Sequence, residues 1–443
     1  MNTTDIKKFK GNDIVLDQFH EDLKNTVDEN NKVKMTDFKS PSFYLPPISK
    51  VYALLGFITN QKQIIDLLEN TYDTQLNVSR TNQYAFFKQG VGLRTVSKII
   101  GWLKLIPFPF EQLASKKVMA KVNRAIKAGS NAASWFTGVN SFQVGFKRSG
   151  QTEHEFTLLF NFIEQRCNTE VDLLLNIKED VKAGKLSSGD ITAAWRAQYP
   201  LWENNPNIPS NVIEDFVEIL LLHQQGNKLN EEQTLSFIES YIYLHFDFFL
   251  EAITHYEVGC RIYYGKNKDR IENELGMITK AIYAYATQDE VKSCFAGLLK
   301  EFKDFLSETI EETGYRKLAT FIELEGSENN EFGESVVNKQ YNQLKDWRNS
   351  VNLPSNEKLM AFLSNLDKFA GASSGYVTFD MCKVTMGVDK LVNELLLQTQ
   401  KENCKPAEVE LIVKKVLANI PSYYRANLKA GLEMQQPVMN FKN

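Results

Sequence analysis

The chain has 443 residues, of which 43% are hydrophobic and 24% charged, with a formal net charge of −4. That length exceeds what one hydrophobic core organises, and the composition is that of a globular protein. The near-neutral charge by itself argues against a general polyanion binder. With only 12 prolines and 23 glycines, long segments run uninterrupted. They predict a mainly α, multi-domain helical protein with at most one or two short strands.

The opening MNTTDIKKFKGND has no apolar core, so no secretory signal is expected, and no run of about 18 apolar residues predicts a membrane span. Five widely spaced cysteines (Cys167, Cys260, Cys294, Cys382 and Cys404) form no CxxC pair. They read as reduced thiols of a cytoplasmic protein. Charge is distributed unevenly. Between Lys88 and Arg148 there are 11 Lys or Arg against one acid, Glu111, a local charge of +10 that leaves −14 for the remainder.

In chain order, residues 1–45 form a polar arm with a helix near Asp13–Val27. SPSFYLPPISK (40–50) reads as a proline-punctuated linker. Val51–Leu68 has helical spacing, and Val91–Ile106 places Leu93, Val96, Ile99, Ile100, Leu103 and Ile106 on one stripe. PFPF (107–110) breaks that helix. Glu111–Ala128 forms the next one, carrying Lys116, Lys117, Lys121, Arg124 and Lys127. The small and aromatic stretch 128–150 places a strand at Phe142–Lys147.

Beyond Gly150 the chain turns acidic and helical. Helices are expected at Glu153–Val181, from Ser210 to Gly226, and from Asn230 to about Tyr264, the last opened by the capping-box spacing Asn230-Glu231-Glu232-Gln233. Others follow at Arg270–Ala286, Glu290–Glu312 and Tyr315–Glu323. An acidic loop (323–335), the hairpin 335–366, a hinge at 371–375 and helices at Phe379–Gln400, Pro406–Ala418 and Ser422–Leu432 complete the chain. Four segments result: a polar arm (1–45), a basic helical domain (46–150), an acidic helical bundle (151–312) and a C-terminal helical domain (313–443).

The stretch SVVNKQYNQLKDWRNSVNLPSNEKLMAFLSNL (335–366) joins an amide-rich helix ending in Trp347-Arg348 to a Pro354-Ser355 turn. An apolar-spaced helix through Leu359, Phe362, Leu363 and Leu366 follows. Across about residues 313–366 it resembles the λ-repressor-like (XRE-type) helix-turn-helix family. There an aromatic closes the recognition helix and Pro-Ser opens the next one. The resemblance implies DNA binding, with Asn338, Lys339, Gln340, Asn342 and Gln343 facing the major groove and Lys345 and Arg348 near phosphates. The family usually carries Gly three residues after the Trp; here it is Ser350. Similar WRxxxxLPS segments belong to uncharacterised bacterial proteins of mobile and defence islands.

Other motifs have competing readings. The basic segment could track phosphates, with Trp102, Trp135 and Phe136 nearby for stacking. It could instead lie on a membrane through VSKIIGWLKLIPFPF, or dock on acidic protein surface. Asp247, Glu251 and His255 read as a polar stripe on a core helix rather than metal ligands. Arg148-x5-His154 has the loose spacing of HEPN ribonucleases. Gly90-Val91-Gly92 lacks the context of a dinucleotide loop.

The sequence therefore predicts a non-enzymatic, DNA-associated protein, regulatory or a subunit of a mobile-element or anti-phage defence complex. Duplex phosphates would meet Lys116, Lys117, Lys121, Arg124 and Lys127, with Lys339, Gln340, Gln343 and Arg348 in the hairpin. No metal, cofactor or small-molecule substrate is implied. The alternatives are a helical scaffold binding protein partners through charged faces, a membrane-active effector, or a HEPN-like ribonuclease.

Overall fold

The computed structural model describes residues 32–33, 43–57, 61–88, 91–106, 115–151, 153–187, 191–203, 205–265, 268–324, 335–400 and 404–435. Almost all regular structure is helical, as the composition predicts. Two two-residue strands, β1 (Lys32–Val33) and β2 (Val91–Gly92), pair antiparallel. The described residues group into two compact units. The first takes in the described residues within 32–53, 57–151 and 163–183, the second those within 54–56, 153–162 and 184–435. The expected helix near Asp13–Val27, the PFPF break and most of the acidic loop lie outside the described residues.

The expected Val51–Leu68 helix is two helices, α1 (Ile48–Leu55) and α2 (Gln61–Tyr72), with Gly56 between them at φ 75°. That left-handed conformation ends a helix and suits glycine. Next come α3 (Arg80–Lys88), α4 (Leu93–Leu103), α5 (Lys116–Ala128) and α6 (Ala132–Arg148). Then α7 (Thr157–Lys182) begins in the second unit and continues in the first.

Two sequence expectations are corrected here. The strand at Phe142–Lys147 is the last part of α6. Its apolar residues follow helical rather than alternating spacing, with Ala132, Trp135, Phe136 and Val139 buried on one face. The proline-rich 43–47 segment is pinned rather than a free linker. Asn131 Nδ2 donates to Leu45 O (2.8 Å), Trp135 Nε1 to Pro46 O (2.7 Å), and Arg166 to Tyr44 O (2.8 Å).

The second unit is built around α10 (Glu231–Tyr264), which the Asn230–Gln233 capping box opens as predicted. It is preceded by α8 (Ile191–Arg196) and α9 (Val212–Gln224). The expected helix at 270–286 is broken into α11 (Lys268–Asn273) and α12 (Met277–Thr287). The break is held by a side chain from elsewhere. Buried Glu257 of α10 accepts from Thr279 N (3.0 Å), Thr279 Oγ1 (2.6 Å) and Ile278 N (2.5 Å), which caps α12. A Cβ on Gly276 would lie 2.1 Å from the Glu257 carboxyl carbon, so glycine is required there.

Helices α13 (Cys294–Thr309), α14 (Tyr315–Ala319), α15 (Val336–Arg348) and α16 (Asn356–Ala370) follow. Then come α17 (Gly375–Gln400), α18 (Pro406–Leu417) and α19 (Ile420–Gln435). Carboxylates cap two of these as well. Asp389 of α17 accepts from Cys294 N (2.7 Å) and Phe295 N (3.0 Å) at the start of α13. Asp367 accepts from Ser374 N (2.9 Å) and Gly375 N (2.8 Å) at the start of α17. Helices α12 and α13 approach so closely that a Cβ on Gly297 would sit 2.3 Å from Ala281 O.

Burial pushes the Asp389 carboxyl up to about 6, despite the amides that favour its charge. Burial also raises Glu257. Burial and neighbouring Glu155 hold Asp380 at about 6, against the opposing hydrogen bond from Tyr256. A carboxyl whose folded pKa exceeds its unfolded value contributes stability below the unfolded value and loses it as pH rises through the folded one. Urea midpoints are therefore expected to fall between about pH 4 and pH 6, with Asp389 alone contributing on the order of 3 kcal/mol. Asp389→Asn should be less stable at both ends of this window and show a flatter decline across it. An unchanged slope would refute this assignment.

Candidate nucleic-acid interface

The basic helix α5, KKVMAKVNRAIKA, contains no acid. Ser115 caps it by accepting from Val118 N (3.4 Å), and Gly129 at φ 73° ends it. Its 3.6-residue period divides the cations between two rows. Lys117, Lys121 and Arg124 form one row; Lys116, Asn123 and Lys127 form its neighbour.

Within the first row, Lys121 pairs with Glu164 and Arg124 with Asp172 (2.6 Å) of α7, while Lys117 stays exposed. Lys121 also lies 5.5 Å from the centre of the Phe136 ring. Farther along α7, Lys178 donates to Lys127 O (2.8 Å). These contacts run in the same chain direction on both helices, so α5 lies alongside α7. Lys116, Lys117 and Lys127 are exposed, and no carboxylate pairs with them among the described residues. Five predicted phosphate contacts thus comprise two cations engaged by α7 and three open to solvent.

The aromatic residues expected to stack beside these lysines are not accessible. Trp102 is 6% exposed, Trp135 5% and Phe136 7%. Trp102 donates to Thr74 Oγ1 (3.1 Å) and packs with Leu76 and Ile106. The same packing consumes the apolar face of α4 on which the membrane reading depends. Among the described residues no helix is long and apolar enough to cross a membrane.

The hairpin occupies the core of the second unit. Trp347 is fully buried with Leu344, Leu359, Phe362, Leu363 and Leu366 around it, and its ring meets Phe362 edge-on at 5.6 Å. Ser355 caps α16, as the Pro-Ser step predicts. Ser350 lies at φ 57°, with Ser350 N bonded to Trp347 O and Val351 N to Asp346 O. This is a Schellman ending whose left-handed position favours glycine. The serine therefore takes the conformation for which the resembled family uses Gly.

The proposed reading face of α15 is largely occupied by its own chain. Gln340 Nε2 donates to Ile322 O (2.7 Å) and Thr320 O (3.3 Å). Asn338 accepts from Arg316 (3.4 Å), and the Arg348 guanidinium lies 3.6 Å from the Tyr315 ring centre. Lys339 and Gln343 are half-buried. The structure thus brings Gln340 and Arg348 onto segment 315–322.

The remaining polar groups are similarly committed. Asp247 accepts from Asn205 (2.6 Å) and Tyr423 (3.1 Å), and Glu251 from Asn427 (3.1 Å). The stripe on α10 therefore packs against α19. His154 Nδ1 accepts from Phe156 N (3.1 Å), and burial pushes its imidazole below the ordinary value. The Arg148 side chain lies outside the described residues. Burial raises the thiols of Cys167, Cys260, Cys294 and Cys382 above the ordinary range, which disfavours the nucleophilic thiolate. Among the described residues no cluster of three or more His, Cys, Asp or Glu could hold a metal ion.

Compared with protein-family models, curated proteins and solved structures, the chain matches none.

If Gln340 is a packing residue, Gln340→Ala should cost about 1 kcal/mol in urea unfolding, while Gln343→Ala stays within about 0.5 kcal/mol. Equal effects would count against this division. At the turn, Ser350→Gly should raise stability by roughly 0.5–1 kcal/mol, as relief of left-handed strain outweighs the added chain entropy of glycine.

Proposed function

We propose that this protein is DNA-associated and acts by binding rather than by chemistry, with duplex phosphates held by the exposed lysines of α5. The observation that carries this reading is the placement of Lys116, Lys117 and Lys127 on an acid-free helix. All three are exposed and unpaired by carboxylates among the described residues. Lys116 and Lys117 at the start of the helix and Lys127 in its last turn offer point charges to a phosphate backbone. Arg124 strengthens this set conditionally. Its pair with Asp172 is more than half exposed on both sides, a class of contact too weak to prevent exchange with a phosphate.

The Trp347 hairpin has the narrower role of a folded support. Its aromatic and apolar side chains build the core, and Gln340 and Arg348 brace the 315–322 segment. Sequence reading through Lys339 and Gln343 would require those half-buried side chains to turn outward. The interface proposed here therefore binds without marked base preference.

A second reading, a helical scaffold that binds an acidic protein through the same lysines, is favoured by the Lys121–Glu164 and Arg124–Asp172 pairs, where α5 already meets carboxylates. A pulldown that recovers one stoichiometric protein and no nucleic acid would decide for it.

Fluorescence anisotropy with labelled duplexes tests the first reading. Three phosphate contacts give a slope of log affinity against log salt of about −2.7, a loss of roughly 40-fold between 50 and 200 mM. Lys116→Glu/Lys117→Glu/Lys127→Glu should weaken unrelated duplexes alike, by roughly 10-fold or more, with the helical circular dichroism unchanged. Absence of binding to any duplex at low salt would refute the proposal.

A further inference from the structure

We propose that Lys383 is a site of covalent modification, where its amine takes an acyl group from an acyl phosphate. The observation behind it is a pair of ammonium groups that converge in the second unit with no carboxylate between them. It stands apart from the reading of α5.

Lys383, Gly387 and Lys390 lie at i, i+4 and i+7 on one face of α17. The end of α1 rests on that face: a Cβ on Gly387 would lie 3.3 Å from Leu54 O. The two lysines, about one turn to either side, reach the same glycine. A Cβ on Gly56 would lie 2.8 Å from Lys383 Nζ and 3.8 Å from Lys390 Nζ. Lys390 donates to Leu54 O (3.4 Å), and Lys383 to Asn356 Oδ1 (3.1 Å) at the start of α16. No carboxylate pairs with either lysine among the described residues. The groups acting on Lys383 are Lys390, which disfavours its charge, and the Cys382 thiol, which burial keeps protonated. Lys383 is half-buried, and its amine lies beside exposed Gly56, which adds no side chain to cover it.

Two ammonium groups this close repel, and one of them gives up its proton more readily. The Leu54 carbonyl favours the charged form of Lys390. Burial, and after it the Lys390 charge, hold the Lys383 ammonium below the ordinary lysine value. A neutral Lys383 amine keeps donating one N–H to Asn356 while its lone pair is free to attack. Lys390 stays beside it as a cation, so an anionic donor meets Lys390 with its phosphate while its carbonyl reaches Lys383. The Lys383 nitrogen then attacks the acyl carbon. The C–N bond forms as the C–O bond to phosphate breaks, inorganic phosphate leaves with that electron pair, and the surplus nitrogen proton passes to solvent.

The test treats the full chain at neutral pH with acetyl phosphate, and separately with uncharged acetic anhydride, and reads each lysine by peptide mass spectrometry. With acetyl phosphate, Lys383 is expected to be acetylated about 5-fold or more faster than exposed Lys116, Lys117 and Lys127, with a lower pH midpoint than theirs. Lys390→Met should remove that lead, whereas Lys390→Arg, which keeps the charge, should retain it. Acetic anhydride should show a smaller lead, because it has no charge for Lys390 to attract. Helical circular dichroism checks that the variants fold.

Acetylation of Lys383 at the pace of the three exposed lysines, or with the same pH midpoint, would overturn the proposal. So would a lead that survives Lys390→Met in a folded protein. An equal lead with both reagents would overturn the acyl phosphate as donor. Should Lys390→Met fail to fold, the pH midpoint in the unaltered chain decides alone.

Discussion

The second unit depends on carboxylates that reach across from one element to the start of another. The first amides of a helix have no partner inside it, and in a buried position they must find one elsewhere. Glu257 supplies it for α12, Asp389 for α13 and Asp367 for α17. The Glu257 and Asp389 caps join residues 21 and more than 90 positions apart, so they tie the order of helices together as well as finishing their ends. Charge suits the role, because a helix N-terminus carries partial positive charge. Desolvation opposes it and raises both carboxyls. The result is a core that orders its helices with charges it accommodates only in part.

In the first unit the decisive constraint is angular. Five cations in thirteen residues look like one basic stripe when read as a string. Wound at 3.6 residues per turn, they fall into two rows that meet different surroundings. The row carrying Lys121 and Arg124 meets Glu164 and Asp172; the row carrying Lys116 and Lys127 meets solvent. Reading a charged segment as a binding surface, or as a docking face for the rest of the chain, therefore poses a false choice here. One helix does both: Lys121 and Arg124 meet carboxylates of α7, while Lys116, Lys117 and Lys127 are exposed.

Much of the helical layout was legible because it is written locally. The Asn230–Gln233 box, Ser335, Ser355, Pro406 and the glycines at 129 and 371 mark their helix ends through interactions within a few residues. The Trp347–Ser355 spacing was legible too, since an aromatic that buries a helix end and a serine that caps the next are short-range devices. The misread places have long-range causes. The split at Gly276 depends on Glu257 one helix away, and the pinning of residues 43–47 depends on Asn131, Trp135 and Arg166. The engagement of Gln340 required knowing that the 320–322 carbonyls lie beside it. The 142–147 stretch was misread as a strand because a short apolar run fits either period, although the spacing of Phe142 from Phe146 is that of one helical turn.

The hairpin combines short-range devices with core packing. Its aromatic closure, left-handed turn and capped second helix are all present, and each is explained by packing alone. A DNA-reading helix needs its amides and cations free on the side away from the core. Here Gln340 bonds the chain before it and Arg348 lies flat on Tyr315, so these side chains spend their donors and their flat face internally. The internal packing makes the resemblance explicable without a groove. Cations that no described carboxylate engages are instead found on α5, where Lys116, Lys117 and Lys127 are exposed.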